Sequence, residues 1–542
     1  MGGMTTGRAT LAGATIGLLG AAAESLRPSL TPRSTLHQGL VTGTMGVVGA
    51  LAGAGVGATV GRVLGPRTGS LLPAAAVATT AVAATLRGRT HARAQAASYD
   101  EWGTHEGQPG VGAVAGGVVA AGLAAGTALV ASELADGGAA IAGRAPGSPA
   151  LWTAVTAGGA LGAVTLGGKL GMSRVLAGLT VSGADADAAL AESPQDDFVT
   201  GGPGSLIPYD TLSREGRRFV NWRVSAAEIT AGTGAPAAEP VRVFIGVASA
   251  PGITERVDLA IAELDRLDAW SKSCILAVSP AGTGYANSVP VEALEYLTAG
   301  DCASVSVQYG LLPSMFSLNK VDIAAQTFRE LIDRIHARIR TLPHQPKLFL
   351  YGESLGAGAA QHGLLLSPSI VDEASARMLK ADAALFVGTP GGRSLRDDLL
   401  DHPGTVHVDR WQDLPDPLPT GIQLWFLEHD ADPVTRFNRT LLWRKPAFLS
   451  AQPRGRNVPA DMAWLPIGTW QQVLLDVAYA TQAQSGVFRS VGHDYRADLA
   501  PLVAAAFVPD QINRVPHVQE LLSAREVARD KRLAAAEGTA ES

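Results

Sequence analysis

The chain has few cysteines and few charged residues for its size. Its 542 residues include only 2 cysteines, Cys274 and Cys302, which excludes a disulfide scaffold and a zinc site built from four thiolates. We expect both to be buried free thiols. Charged residues make up 17% of the chain, whereas soluble globular domains carry about 25%. This shortage argues against disorder and favours either a very large core or contact with a membrane.

The chain also lacks an excess of basic residues. It has 43 Lys and Arg against 49 Asp and Glu, for a net charge of -6. It therefore lacks the excess of positive charge that is typical of proteins that bind nucleic acid. Its length exceeds that of one ordinary domain of about 100–200 residues. We therefore expect two or three domains and no nucleic-acid partner.

The shortage of charge is concentrated before Gly183, where Ala, Gly, Val, Leu and Thr dominate. This part contains five apolar stretches, at Thr10–Ala23, Leu40–Gly61, Gly69–Leu86, Gly110–Ser132 and Leu151–Gly171. Four of them approach the ~20 residues that a helix needs to cross a hydrocarbon core, and the first is shorter. The pattern predicts an all-α transmembrane bundle of four or five helices over residues 1–183, in a multi-pass protein of the cell membrane.

Glycine recurs at every fourth position in several of these stretches, as at Gly49, Gly53, Gly57 and Gly61. This spacing puts the glycines on one helical face, where they let neighbouring backbones approach closely in lipid. In water the same glycines weaken a helix by about 1 kcal/mol each relative to alanine. The alternative is an Ala/Gly-rich soluble or disordered region, which fits poorly with high hydrophobicity and low charge.

The basic residues between the apolar stretches predict an orientation. More of them lie on the side shared with the rest of the chain than on the other, namely Arg27, Arg33, Arg87, Arg89, Arg93, Lys169 and Arg174 against Arg62, Arg67 and Arg144. By the positive-inside rule this distribution favours a cytoplasmic C-terminal domain. Residues 184–204, acidic and then rich in Gly and Pro, are predicted to be a linker. A globular domain is expected over 205–510 and a charged helix or tail over 511–542.

The globular domain alternates between patterns typical of strands and of helices. Strands are predicted at Val241–Val247, Cys274–Ser279, Ala303–Tyr309, Lys347–Tyr351, Ala383–Val387 and Gln423–Leu427. Helices are predicted near Thr254–Trp270, Val291–Leu297 and Val321–Leu342. This alternation predicts an α/β fold with a mostly parallel sheet and helices on both faces.

A G-x-S-x-G motif follows the Lys347–Tyr351 strand, at Gly352–Gly356, with Ser354 at its centre. A serine on such a tight strand-to-helix turn projects its hydroxyl above the sheet, and the glycines remove side chains that would collide. In a glycine-rich chain the motif alone is weak, so the surrounding strands and helices must support it. We predict that Ser354 is a nucleophile. Glu353, inside the motif, either tunes a neighbouring base or contacts solvent, and we favour solvent.

Backbone donors for an oxyanion are predicted in two places. One is the N–H of Leu355, directly after the proposed nucleophile, and the others are Gly282 and Thr283 in the glycine-rich loop after the Cys274–Ser279 strand. Two such donors stabilise a tetrahedral oxyanion, and losing one costs ~3 kcal/mol of barrier. A phosphate-binding reading of this loop is disfavoured because no Lys-Ser/Thr pair follows it.

An acid and a histidine follow the serine in the order that such sites require. Asp432, before Pro433 in the turn after the Gln423–Leu427 strand, is the preferred acid, and Asp430 is the alternative. Asp-x-Asp-Pro is also a good turn in its own right. His493, after Gly492, is predicted to take the Ser354 proton and deliver it to the leaving group, while the acid orients the ring. No metal and no cofactor are expected.

Several motifs make the chain resemble the actinobacterial α/β-hydrolase-like membrane proteins, which join a transmembrane N-terminal region to a C-terminal catalytic domain. They are REGRRFV (Arg214–Val220), VFIGVASA (Val243–Ala250), PAGTGYAN (Pro280–Asn287), QYGLLPS (Gln308–Ser314), YGESLGA (Tyr351–Ala357), LEHDADPV (Leu427–Val434) and GHDY (Gly492–Tyr495). The relatives tend to have threonine at Ala281 and serine at Gly310. The resemblance implies an α/β-hydrolase fold and a serine nucleophile, with a poorly defined substrate.

The aromatic residues between Asp432 and His493 suggest how a substrate is held. Trp443, Trp464 and Trp470 are predicted to form an acyl pocket or a lid, although ordinary core packing is the alternative. A membrane tether would raise the effective concentration of membrane-borne esters. We therefore expect a carboxylic ester hydrolase of the lipase type, acting on a lipid or amphiphilic ester. The alternatives are an acyltransferase with the same triad and a non-catalytic membrane scaffold or transporter.

Overall fold

The computed structural model describes residues 2–64, 71–101, 187–310, 321–365, 380–392, 404–480 and 484–540. Contacts between Cα atoms divide the chain into two compact units. The first, called here the helical unit, contains the described residues up to Glu101 together with Phe437–Ala480. The second, called the sheet unit, contains the described residues of Val175–Arg436 and Thr481–Ser542.

The sheet unit is built on seven strands, β1 (Val241–Ile245), β2 (Cys274–Ser279), β3 (Cys302–Val307), β4 (Lys347–Glu353), β5 (Ala383–Val387), β6 (Thr405–Val408) and β7 (Leu424–Leu427). Their order across the sheet is β1-β3-β2-β4-β5-β7-β6, and every neighbouring pair is parallel. The α/β architecture predicted from the sequence is confirmed. The edge strand β6 was not predicted, because it is only four residues long and half of it faces outward.

The described helices are α1 (Gly2–Ser25), α2 (Thr35–Leu64), α3 (Leu71–Glu101), α4 (Arg214–Asn221), α5 (Ala226–Thr233), α6 (Ile253–Arg266), α7 (Ser288–Leu297), α8 (Val321–Ile339), α9 (Leu355–Leu365), α10 (Pro433–Arg436), α11 (Gly468–Tyr479), α12 (Arg496–Phe507) and α13 (Val515–Ala540). Every residue of β1, β2, β3, β5 and β7 is buried. Because side chains alternate between the two faces of a strand, both faces of the sheet must be covered. The two cysteines lie opposite each other in β2 and β3, free and buried.

The described part of the predicted linker packs against the sheet unit. Thr200 N–H donates to the Arg242 carbonyl at 3.0 Å, and Arg242 N–H donates to the Phe198 carbonyl at 3.0 Å. Leu190 and Val199 are buried. This segment therefore pairs with the outer side of β1, where an unpaired strand edge would otherwise expose its backbone polar groups.

The C-terminal helix α13 also packs against the sheet unit. Val518 and Leu522 are buried, and Arg529 forms an ion pair with the buried carboxylate of Glu292 on α7. Arg525 lies 3.5 Å from the same carboxylate. These arginines pair with a neighbouring helix, because a buried carboxylate requires cationic partners.

In the helical unit, α1 and α2 pack backbone against backbone. A Cβ added to Gly17 would collide with the Gly49 carbonyl, and one added to Gly53 would collide with the Gly13 carbonyl. The spacing of four residues puts Gly49, Gly53 and Gly57 on the face of α2 that meets α1. Only glycine permits so close an approach at these positions.

A buried polar cluster joins α11 to the segment between α1 and α2. Asp476 accepts hydrogen bonds from the Ser29 hydroxyl at 3.0 Å and from Leu30 N–H at 3.1 Å. Its carboxylate also lies 3.8 Å from the Arg33 guanidinium and 3.3 Å from His37 Nε2. The side chains of Asp476, Arg33 and His37 are at most 1% exposed. This cluster explains why residues 437–480, expected in the globular domain, pack with the N-terminal helices.

One described helix is long and apolar enough to cross a membrane, by length and composition. It is the 25-residue segment His37–Gly61 of α2, with a mean hydropathy of 1.5. The predicted stretches Thr10–Ala23 and Gly69–Leu86 fall largely in α1 and α3, which do not meet that criterion. Glycine and threonine lower the mean hydropathy there, α1 contains Arg8 and Glu24, and α3 carries several arginines. The predicted stretches at 110–132 and 151–171 lie outside the described residues, so a bundle of four or five spans is not established.

Removal of the Asp476 carboxylate is predicted to destabilise the helical unit. Asp476→Ala would leave the buried Arg33 and His37 without their anionic partner, and breaking a buried charge pair costs about 3–5 kcal/mol. Urea unfolding in mild detergent, followed by tryptophan fluorescence, measures the change. The matched variant Asp461→Ala removes an exposed aspartate from the same segment and should cost less than about 0.5 kcal/mol. Equal stabilities of the two variants would contradict the role of the cluster.

Candidate active site

Four neighbouring strands carry the candidate site at their carboxyl ends. Parallel strands end at the same edge of a sheet, and β2, β4, β5 and β7 are consecutive in the strand order. Ser354 follows β4, Gly388 follows β5, and Asp432 lies five residues beyond β7. Adjacent strands are about 4.8 Å apart, so the residues that follow them gather within a small region although they are distant along the chain.

The G-x-S-x-G segment forms a strained turn between β4 and α9. Ser354 has a φ of 55°, a left-handed conformation that costs a residue with a Cβ about 1–3 kcal/mol. A Cβ on Gly352 would lie 2.9 Å from backbone atoms of Ala357, and one on Gly356 would collide with the Ser279 carbonyl. Both glycines are therefore required sterically, which is the physical reason predicted from the motif.

His493 is bound to the carboxylate of Asp432. Its Nδ1 lies 2.7 Å from Asp432 Oδ2, and the two side chains are 5% and 0% exposed. The carboxylate also accepts hydrogen bonds from the Tyr495 hydroxyl at 2.6 Å and from Val434 N–H at 2.7 Å. Because Nδ1 is engaged by Asp432, Nε2 is the ring nitrogen that remains for a hydroxyl group.

The turn that carries His493 is fixed by its own backbone. Val491 and Asp494 exchange two hydrogen bonds, of 3.2 and 3.0 Å, around Gly492 and His493. Gly492 has a φ of 55°, a conformation that glycine adopts without steric cost. The sequence therefore needs glycine directly before the histidine in this turn.

Ser354 and His493 both contact the backbone at the end of β5. Ser354 N–H donates to the Val387 carbonyl at 2.9 Å. The next residue, Gly388, packs against the imidazole so closely that an added Cβ would lie 2.8 Å from His493 Cε1. The structure therefore brings Ser354, Asp432 and His493 to one edge of the sheet, around the end of β5.

The alternative acid Asp430 has a different environment. Its carboxylate accepts a hydrogen bond from Arg436 at 2.8 Å, and its side chain is 37% exposed. The carboxylate that binds the His493 ring is that of Asp432. Geometry thus favours Asp432, the preferred residue of the sequence analysis.

The loop that carries two of the predicted oxyanion donors begins beside the turn of Ser354. Gly356 packs directly on the Ser279 carbonyl, so the loop after β2, which contains Gly282 and Thr283, begins beside the turn. Leu355 is the first residue of α9, where backbone N–H groups have no partner within the helix. The loop is shaped by a hydrogen bond of 2.9 Å from Gly284 N–H to the Ala281 carbonyl.

The three tryptophans predicted to form an acyl pocket belong to the helical unit. Trp443 is 65% exposed, and Trp464 Nε1 donates to the Leu441 carbonyl at 2.9 Å. The ring of Trp470 packs at 6.0 Å from that of Phe437. These contacts lie within Phe437–Ala480, and a role in binding an acyl group stays a prediction.

Carboxylates raise the basicity of His493. Burial alone would lower the pKa of His493, but the charge of Asp432 and its hydrogen bond, with Glu353 and Asp494 nearby, raise it above the usual value. Glu353, for which the sequence favours contact with solvent, is instead held by hydrogen bonds within the protein. Its Oε2 accepts hydrogen bonds from the Tyr351 hydroxyl at 2.6 Å and from Asn287 at 2.9 Å, and burial raises the pKa of its carboxyl group.

Sequence reasoning missed Tyr495, which holds the Asp432 carboxylate, and His429, which contacts Tyr495. Tyr495 stands two residues after His493, and that proximity was the available signal. Among the described residues, no group of three or more His, Cys, Asp and Glu side chains could hold a metal ion.

Comparisons with known proteins agree with this architecture. The model of the alpha/beta-hydrolase family matches residues 241–517, which is more than half of the chain. The model of the N-terminal region of the same family matches residues 26–222. No curated protein matches the chain, and no solved structure does. The chain therefore belongs to the alpha/beta-hydrolase family.

Proposed function

We propose that the chain is a serine hydrolase of carboxylic esters, with Ser354 as nucleophile, His493 as general base and Asp432 as the acid that orients it. The observation that carries the proposal is the buried hydrogen bond of 2.7 Å between His493 and Asp432, beside a serine on a strained strand-to-helix turn. A buried carboxylate fixes the imidazole tautomer and stabilises the imidazolium that forms. The catalytic domain is the sheet unit.

The reaction proceeds through an acyl-enzyme. Ser354 Oγ attacks the carbonyl carbon of the ester while His493 Nε2 accepts the hydroxyl proton. The oxyanion is stabilised by the N–H of Leu355 and by donors from Gly282 and Thr283. The imidazolium then protonates the leaving oxygen as the ester C–O bond breaks, which releases the alcohol and leaves the acyl group on Ser354. A water molecule, deprotonated by His493, attacks the acyl carbonyl carbon. The imidazolium returns its proton to Ser354 Oγ as the acyl–serine bond breaks and the acid leaves.

We propose further that the substrate is a lipid or an amphiphilic ester, because the helical unit offers an apolar surface. Exposed side chains on α2 include Leu40, Val47 and Leu51, at positions that share one side, and also Val56 and Val60. Exposed apolar patches of this kind mark membrane or protein interaction sites. Association with a membrane would concentrate the enzyme near membrane-borne esters.

Loss of the nucleophile should abolish the activity. Ser354→Ala and His493→Ala are expected to reduce kcat for p-nitrophenyl esters by about 10⁴-fold or more. A fluorophosphonate probe should label the wild type, but not Ser354→Ala. The control Ser271→Ala, at an exposed serine of the same unit, should behave as wild type. An unlabelled wild type would favour a non-catalytic scaffold, and ester products formed with competing alcohols would indicate an acyltransferase.

The acid limb of the pH profile of kcat/KM should shift when the charge of Glu353 is removed. Only neutral His493 acts as a base, and the carboxylate of Glu353 raises the pKa of His493. Glu353→Gln should therefore lower the pKa of His493 and move the acid limb of kcat/KM to lower pH. Asp430→Asn, a control at a carboxylate paired with Arg436, should leave the limb in place. A limb that does not move in Glu353→Gln would contradict this electrostatic role.

Membrane association should depend on the exposed apolar side chains of α2. Wild type is expected to remain in the membrane pellet after alkaline carbonate extraction. The double variant Leu51→Lys, Val56→Lys should be released in larger amount, because a lysine costs about 2.5–3.5 kcal/mol at the centre of a membrane helix. Leu206→Lys, at a position 52% exposed in the sheet unit, serves as the control. A wild type that is fully extracted would overturn membrane association.

A further inference from the structure

A second imidazole–carboxylate pair lies in the sheet unit, formed by His429 and Asp498. His429 Nε2 is 3.0 Å from Asp498 Oδ2, and the side chains are 1% and 0% exposed. His429 lies two residues after β7, whereas Asp498 belongs to the first turn of α12. The proposed chemistry uses neither residue, so a buried ionisable pair at this position requires an explanation.

The contacts of His429 go to the chain on both sides of His493. Its Nδ1 lies 2.8 Å from the Gly492 carbonyl oxygen, directly before His493. Its backbone N–H donates to the Tyr495 hydroxyl at 3.1 Å, and the two rings stack with centroids 4.0 Å apart. The Tyr495 hydroxyl in turn donates to Asp432. One side chain thus supports both the turn of His493 and the acid that binds it.

The orientation of the His429 ring is determined at both nitrogens. Nδ1 faces a carbonyl oxygen. Nε2 faces the Asp498 carboxylate at 3.0 Å and the Ser490 hydroxyl at 3.3 Å. The carbonyl and the carboxylate, which make the two shorter contacts, only accept hydrogen bonds. Asp498 is itself held, because its Oδ1 accepts Trp411 N–H at 3.0 Å. The ring therefore acts as a rigid bridge between α12 and the Gly492 carbonyl.

We infer that His429 and Asp498 are a positioning pair for His493, which holds the Gly492–His493 turn so that Nε2 of His493 stays aimed at Ser354. This inference rests on the proposed function. A displacement of about 1 Å in a catalytic group can reduce a rate by about 10²-fold. The bond to Gly492 is the one that acts on the turn, whereas the bond to Asp498 fixes the ring that makes it.

Two amide substitutions separate these bonds. The amide nitrogen of asparagine lies close to the place of Nδ1, and that of glutamine lies close to the place of Nε2. His429→Asn can therefore keep the bond to Gly492, and His429→Gln can keep only the bond to Asp498. His407→Gln is the matched control, since His407 lies on β6 and is 39% exposed.

The experiment measures the rate of labelling of Ser354 by a fluorophosphonate, together with kcat and KM for p-nitrophenyl butyrate, in the full chain. Each rate is divided by the number of Ser354 sites that become labelled at the end of the reaction. Unfolded molecules, which do not react, therefore do not affect the comparison. His429→Gln should be slower than wild type by about 10- to 100-fold in labelling and kcat, with KM unchanged. His429→Asn should stay within about fivefold of wild type, and His407→Gln within twofold.

Equal rates for His429→Asn and His429→Gln would overturn the inference, as would a wild-type rate in His429→Gln. If His429→Gln yields no labelled protein, the variant Asp498→Asn tests the inference in its place. It keeps an oxygen for Trp411 N–H but removes the charge that holds the ring, and kcat should fall about three- to tenfold at constant KM. An unchanged kcat in that variant would overturn the inference. A wild type without Ser354-dependent labelling would instead refute the proposed function.

Discussion

The site depends on the buried carboxylate of Asp432. A carboxylate that is 0% exposed loses its hydration, and burial without hydrogen bonds would cost several kcal/mol. Three donors compensate for this loss, namely His493, Tyr495 and the backbone N–H of Val434. Two of them come from the turn after Val491, so the need to satisfy one buried charge brings distant parts of the chain together.

The parallel sheet makes this convergence possible. Hydrogen bonds between β2, β4, β5 and β7 fix the register of four strand ends, and the residues that carry the proposed chemistry lie beyond those ends. The end of β5 contributes backbone that contacts both Ser354 and His493. The same register holds Ser354 in its strained conformation, with a φ of 55°. The fold therefore accounts for the positions of these side chains before any specific contact among them is considered.

The sequence predicted those features that depend on local patterns. The strand before Ser354, the glycines around it and the turn at Asp432 each follow from neighbouring residues, and the structure has them where they were expected. Features that depend on distant partners were not predictable in this way. Tyr495 and His429 differ from ordinary buried residues only through the groups they contact. Likewise, Arg33 was counted as a loop charge but is buried against Asp476, because a segment more than 400 residues later returns to the helical unit.

A crystal structure of the full chain after reaction with a fluorophosphonate would show directly whether Ser354, His493 and Asp432 act together. Phosphorus should be bonded to Ser354 Oγ, with His493 Nε2 within hydrogen-bonding distance of the adduct and Nδ1 still bound to Asp432. The phosphonyl oxygen should accept the N–H of Leu355. An adduct on another residue, or an imidazole of His493 turned away from Ser354, would exclude the proposed triad.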